Sequence, residues 1–103
     1  MDFRIQQTVE RLLGFLEIAY GDCDRVSIAG GAGNFKQLED HINLSTKLHN
    51  STNIILTIHE DCGAGAKRED LVKAQNIAKE QHQNCATRTF FIKLDGTWEE
   101  LKL

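Results

Sequence analysis

The chain contains no proline and only three cysteines among its 103 residues. The lack of proline argues against proline-rich linkers and tails. Cys23, Cys62 and Cys85 are odd in number and lack the spacing of paired cysteine motifs. They therefore do not indicate a disulfide framework, and we expect reduced thiols in a cytosol. A reduced thiol is free to bind a metal ion.

Long apolar runs and basic clusters are also missing. The longest apolar run, Ile54 to Leu56, is far shorter than the ~20 residues of a membrane-spanning helix. Asp2 and Arg4 interrupt the N-terminal apolar residues, so no signal peptide is predicted. The net charge of −3 argues against nucleic acid or an anionic membrane as the main partner. These features predict one cytoplasmic domain over residues 1–103.

Hydrophobic periodicity predicts three helices, over residues 5–19, 35–49 and 68–83. Apolar residues recur there at three- and four-residue steps, which places them on one helical face. Asn34, followed three residues later by Gln37, resembles a helix cap with its reciprocal partner.

Short β-branched or apolar segments between these helices predict the strands. They cover residues 25–29, 53–59, 87–94 and 97–101, with a hairpin turn at Asp95-Gly96. The alternation of the two element types predicts an α/β fold in three layers. We expect a mainly parallel sheet with helices on both faces and a C-terminal antiparallel hairpin.

His59 and Cys62 have the spacing of metal ligands, since the histidine ends a predicted strand and the cysteine follows in a loop. An imidazole nitrogen and a thiolate both suit Zn²⁺. The alternative is a polar histidine at a strand end beside a small apolar cysteine. His82 and Cys85 share the same spacing but lie at a polar helix end, and we interpret that second pair as non-functional.

The glycine-rich loop from Gly30 to Asn34 precedes a predicted helix. Its backbone N–H groups could face a small anion at the helix N-terminus. The favoured alternative is a tight strand-to-helix turn that requires glycine, since no phosphate-binding lysine accompanies the loop. Both this loop and the His59–Gly63 loop follow predicted strands, where open parallel sheets bind ligands.

Four segments together resemble the β-class carbonic anhydrases. They are MDFR at the N-terminus, GDCDRVSIAGGAGN over residues 21–34, NIILTIHEDCGAG over residues 53–65, and the hairpin TFFIKLDGTWEELKL over residues 89–103. The family is marked by a Cys-x-Asp-x-Arg segment, an Ala-Gly-Gly turn, a His-x-x-Cys-Gly loop and a closing hairpin. The resemblance covers nearly the whole chain.

The resemblance implies a zinc enzyme that hydrates CO₂ to bicarbonate, built as a homodimer or higher homo-oligomer. It implies that His59, Cys62 and one upstream cysteine hold zinc, which activates water for attack on CO₂. Asp2 would accept a hydrogen bond from that water or move onto the zinc, and Arg4 would orient Asp2. Gly30, Gly31 and Gly63 are the predicted contacts for substrate or a small anion.

The chain departs from the family in three places. The expected first cysteine would fall immediately before Met1, and the strand that carries it is missing. Ser27-Ile28 replaces the family's Arg-Asn, and Cys23 lies at the wrong end of its predicted strand to replace the absent ligand. The chain is then either a truncated form of a longer protein or a short relative that has lost the site. In both cases we expect little hydratase activity from a chain that starts at Met1.

A second hypothesis is a non-catalytic binding or assembly module that keeps the scaffold, with a small anion held at the Gly30–Asn34 loop. Zinc content per chain distinguishes it from the hydratase. Both hypotheses share the expectation of an oligomer, because a sheet without its central strand leaves backbone groups unpaired and apolar surface exposed.

Overall fold

A computed structural model describes residues 1–102 and contains a small, mixed α/β arrangement. Its regular elements are three α-helices, α1 (Gln6–Phe15), α2 (Phe35–His49) and α3 (Asp70–Gln81), and three strands, β1 (Asn53–His59), β2 (Ala86–Ile92) and β3 (Trp98–Leu101). Two short 3₁₀ turns, at Phe3–Ile5 and Gly31–Gly33, precede α1 and α2.

The sheet has the order β1-β2-β3 and is mixed. β1 and β2 are parallel, with Asn53 opposite Ala86 and His59 opposite Ile92. β2 and β3 are antiparallel, which confirms the predicted C-terminal hairpin. Within residues 1–102 the sheet therefore has one parallel and one antiparallel strand pairing.

The predicted strand over residues 25–29 is also wrong, because residues 24–28 have no regular secondary structure. A strand is stabilised by pairing its N–H and C=O groups with a neighbouring strand. In the part of the chain that the structure describes, β1 pairs only with β2, and an open groove is lined by both β1 and residues 21–31. Without a neighbouring strand, the β-branched sequence alone does not make a ladder.

One hydrophobic cluster joins the sheet to α2 and α3. Alternate residues of β1 face this cluster, because successive side chains of a strand point to opposite faces. The predicted inward positions of α3 are confirmed at Leu71, Ala74 and Ala78, which are fully buried. The buried members are Ala32, Leu38, Ile42, Ile54, Leu56, Ile58, Leu71, Ala74, Ala78 and Leu101.

A second cluster joins α1 to β2. Ile5 and Leu12 are buried against Phe90 and Ile92, and Ile55 of β1 packs against the same group. Ile5 and Leu12 are seven residues apart, so they lie on one face of the helical segment. The burial of Ile5 holds the start of the chain against the sheet.

The start of α2 matches the predicted capping residue. Asn34 accepts a hydrogen bond from the backbone N–H of Gln37 at 3.5 Å, and its side-chain amide donates to the carbonyl of Ala29 at 3.2 Å. Its backbone N–H donates to the carbonyl of Gly31. Asn34 therefore ties the glycine-rich loop to the helix that follows it.

Helix length and hydropathy bear on membrane insertion. Over residues 1–102, no helix is both long enough and apolar enough to cross a lipid bilayer.

Candidate functional site

A groove of about 1230 Å³ lies beside the outer edge of β1. Its walls come from sequence-distant segments, namely the N-terminal residues, α1, the loop before α2, β1 and the loop after β1. Six of the seven predicted site residues line it, and the seventh, Arg4, bonds to Asp2. The six are Asp2, Gly30, Gly31, His59, Cys62 and Gly63.

His59 is the last residue of β1, and its side chain is only 15% exposed. Its Nδ1 atom lies 2.8 Å from the carbonyl oxygen of Glu60. Because a carbonyl can only accept, Nδ1 is the donor in this contact. Nε2 lies 3.8 Å from Oδ2 of Asp2. The ring is therefore held with its second nitrogen toward a carboxylate.

Asp2 caps the first 3₁₀ turn and is bonded closely to Arg4. Its Oδ1 accepts from the backbone N–H of Arg4 at 2.8 Å, and its Oδ2 accepts from Nη2 of Arg4 at 2.8 Å. These bonds to Arg4 lower the pKa of Asp2 to about 2. The carboxylate is therefore ionised at neutral pH and presents a fixed negative charge to His59.

Arg4 also bonds to Asp61, a residue that the sequence reasoning missed. Its Nη1 donates to Oδ2 of Asp61 and its Nη2 donates to the carbonyl oxygen of Asp61, both at 3.1 Å. The hydrogen bonds that Arg4 donates to Asp2, and then those to Asp61, raise the pKa of Arg4. Its position in the sequence, between His59 and Cys62, is the feature that could have identified Asp61, because a residue there lies near both.

Cys62 is half-buried and lines the same groove, one residue beyond Asp61. Its carbonyl accepts from the N–H of Gly65, which closes the loop after β1. Within residues 1–102, no group of three His, Cys, Asp or Glu side chains is placed to hold a metal ion. The described residues thus bring His59, Cys62 and Asp2 into a single groove, rather than a complete ligand set.

The glycine-rich loop forms a tight turn against β1. Gly30 and Gly31 have positive φ angles of 84° and 53°. The N–H groups of Gly31, Gly33 and Asn34 all donate to carbonyls of residues 28–31. Because these donors are already paired, the geometry favours the tight-turn interpretation of this loop over anion binding.

The second His-x-x-Cys pair is held by unrelated contacts. Nε2 of His82 lies 2.8 Å from Oδ1 of Asn43, and the Cys85 thiol donates to the carbonyl of Ser51 at 3.3 Å. Cys85 also packs against the cluster between the sheet, α2 and α3. Each residue of this pair has a structural partner of its own.

A further polar cluster, also missed from the sequence, lines the groove. One oxygen of Asp24, Oδ2, accepts from Oγ of Ser45 and lies at the same 2.7 Å distance from Nδ1 of His49. The hydrogen bond from Ser45, followed by that from His49, lowers the pKa of Asp24. Arg25 bonds to Glu10 of α1 at 2.6 Å. These contacts attach the irregular segment over residues 24–28 to α1 and α2.

The comparisons with known proteins give relatives without an assigned activity. An uncharacterized protein of Rickettsia bellii is 29% identical over 127 aligned residues, which cover 98% of this chain and 77% of that protein. An uncharacterized protein of Rickettsia conorii is 27% identical, with 98% of this chain and 68% of that protein covered. No protein-family model matches the chain, and no solved structure matches it. The resemblance to carbonic anhydrases therefore stays a prediction.

Proposed function

We propose that the groove at the carboxyl end of β1 is a zinc site of the carbonic anhydrase type, used to hydrate CO₂ to bicarbonate. One observation carries the proposal. Oδ2 of Asp2 lies 3.8 Å from Nε2 of His59, and both side chains line the same groove as Cys62. Asp2 and His59 are separated by 56 intervening residues, so only the fold brings them together.

The donor atoms suit zinc in their chemistry. The hydrogen bond from Nδ1 of His59 to the Glu60 carbonyl fixes the tautomer that leaves Nε2 for a metal, as is usual for metal-bound histidine. Cys62 supplies a thiol that can be deprotonated as zinc binds. Catalytic zinc has three protein ligands and an open position. The family resemblance assigns the third to a cysteine before Met1, on a strand for which the groove beside β1 offers space.

Zinc bound there would act as a Lewis acid that makes water nucleophilic at neutral pH. The surrounding residues would orient that water and leave space for the substrate. Asp2, ionised and fixed by Arg4, can accept a hydrogen bond from a water near His59. Gly63, where an added Cβ would have nothing within 4 Å, leaves room for a small substrate beside Cys62.

Metal content of matched variants tests the ligand assignment. His59→Ala and Cys62→Ser should each lower the zinc bound per chain, measured by mass spectrometry after zinc loading and desalting. His82→Ala and Cys85→Ser have the same residue types and spacing and should leave zinc content unchanged. If the second pair of variants loses zinc and the first does not, the proposed site is wrong.

The resemblance implies a third zinc ligand immediately before Met1, and its contribution can be tested. A chain extended at its N-terminus by about six apolar, β-branched residues ending in cysteine would supply a strand of ordinary length for the groove. Its thiolate would complete a two-cysteine, one-histidine set. Stopped-flow hydration of CO₂ should then rise above that of the original chain and fall again on Asp2→Ala. An extended chain that is fully loaded with zinc and still inactive contradicts the hydratase proposal.

A non-catalytic binding or assembly module is the second candidate. It is favoured by the lack, within residues 1–102, of three side chains grouped as metal ligands. In this case the original chain and the extended chain both contain no stoichiometric zinc, while the oligomer remains. A small anion at the Gly30–Asn34 loop stays part of this alternative, tested by adding bicarbonate or phosphate and following the Gly30 and Gly31 amide signals.

The finer architecture is also a proposal. Helices on both faces of the sheet, in three layers, would explain why α1 and the α2–α3 pair belong to different hydrophobic clusters.

A homodimer or higher homo-oligomer would cover the edge of β1, whose side chains Ile54, Ile55 and Leu56 are apolar toward both faces. Free thiols at all three cysteines suit the cytoplasm, which is the compartment we propose.

A further inference from the structure

We propose that Asp61 is a positioning residue for the Asp2–Arg4 pair, fixing the guanidinium from the loop side so that Asp2 stays directed at His59. The purpose of this positioning rests on the proposed function. The positioning itself can be measured without metal.

The first support is the division of the Arg4 donors. Nε and Nη2 of Arg4 donate to the Asp2 carboxylate, while Nη1 and Nη2 donate to Asp61. A guanidinium is planar and has five N–H groups in a fixed fork. Two acceptors on different sides of this fork therefore set its orientation more firmly than Asp2 alone could.

The second support is the backbone of Asp61. Its φ angle is +55°, in the left-handed region that aspartate and asparagine tolerate better than most residues. In this conformation its side chain and its own carbonyl oxygen both accept from Arg4. A residue that kept the loop extended would not present both acceptors to one guanidinium.

The third support is the origin of the contacts that hold Asp2. Asp2 bonds to the backbone or side chain of Arg4 and to the backbone N–H of Ile5, all within its own segment. The bonds from Arg4 to Asp61 connect that segment to the loop that carries Cys62. Asp61 is 75% exposed at its side chain, so its ion pair adds little stability. Its effect is on the orientation of the Arg4 guanidinium.

The test follows the Nε–H signal of Arg4 by ¹H–¹⁵N NMR, assigned by its loss in Arg4→Lys. Asp61→Gly keeps the backbone conformation accessible and removes the carboxylate. Its hydrogen exchange at Arg4 Nε should be about threefold faster than in the wild type, the scale of an exposed ion pair. Asp61→Asn keeps a neutral acceptor that fits the left-handed backbone and should show a smaller increase.

The control is Asp40→Asn, which removes an exposed carboxylate paired with Lys36 on α2 and should leave the Arg4 signal unchanged. Backbone amide exchange in β1 should be equal in all variants, which separates positioning from general loosening. If Asp61→Gly does not fold, the Asp61→Asn result decides. Unchanged or slower exchange at Arg4 Nε in a folded Asp61 variant overturns the inference.

Zinc content of the same proteins separates the two proposals. A wild type that binds no zinc, with faster Arg4 exchange in Asp61→Gly, contradicts the zinc site and supports the positioning role. A wild type that binds zinc through His59 and Cys62, with no change at Arg4 in Asp61→Gly, supports the zinc site and overturns the role of Asp61.

Discussion

Gly31 lies against β1 so closely that a Cβ atom on it would be 2.7 Å from the carbonyl oxygen of Thr57. Its φ angle of +53° is also one that residues with side chains rarely adopt. The contact sets the distance between the glycine-rich turn and the strand that ends at His59. This close approach of the turn to β1 therefore requires a residue without a side chain at position 31.

Gly31→Ala should destabilise the protein by roughly 2–4 kcal/mol, because it adds left-handed strain to a clash with a backbone atom that cannot rotate away. Urea unfolding followed by circular dichroism measures the free energy of unfolding. Gly14→Ala is the matched control, since Gly14 lies in α1 with nothing within 4 Å of an added Cβ. That change should stabilise by about 0.5–1 kcal/mol. Equal changes in the free energy of unfolding for the two substitutions would show that the turn shifts to accommodate the added methyl group.

Asn34→Ala should cost about 1 kcal/mol, the usual loss when an N-cap side chain is removed. The substitution removes the acceptor for the N–H of Gln37 and the donor to the Ala29 carbonyl. Asn76→Ala, at an exposed position inside α3, is the control and should be neutral or slightly stabilising. The same urea unfolding compares them. A neutral Asn34→Ala would mean that water replaces the cap without loss.

Phe90→Ala should lower the free energy of unfolding by about 3–5 kcal/mol, the range for removing a large buried aromatic side chain. Phe90 of β2 is fully buried, in the cluster that also holds Ile5 and Leu12 of the helical segment at the N-terminus. Phe3→Ala is its control, because Phe3 is 83% exposed and should change stability by less than about 0.5 kcal/mol. A small effect at Phe90 would contradict the packing of α1 on the sheet.

The sequence predicts those elements whose signals are local. β1 has the predicted bounds, Asn53–His59, because a short, nearly continuous apolar run between polar ends is typical of a strand. The cap at Asn34 and the turn at Asp95-Gly96 are also local signals, and both are present. By contrast, Arg25–Ala29 has strand-forming residues, but within residues 1–102 no strand pairs with it. Five residues alone do not specify a pairing partner.

The residues of the candidate site also differ in whether their signals in the sequence are local. The spacing of His59 and Cys62 is visible in the sequence, whereas Asp2 and Arg4 resemble two solvated end charges unless a family pattern is considered. Asp61 was missed because its role depends on a left-handed backbone and on a guanidinium that is 57 residues away. Residues that act through long-range contacts become visible only after the chain has folded.

The last prediction concerns acid and the pair formed by Glu100 and Arg88. Arg88 donates to both carboxylate oxygens of Glu100 at 2.8 Å, and this bonding lowers the pKa of Glu100 from 4.5 to about 2. A carboxyl group whose pKa is lower in the folded state stabilises that state above its unfolded pKa and loses this contribution as pH falls. The excess stability of wild type over Glu100→Gln should therefore be constant above about pH 5 and shrink between about pH 4.5 and 2. Urea midpoints across this range measure it, and the same comparison in an Arg88→Gln background should show a weaker dependence. A difference that grows on acidification would contradict the pairing.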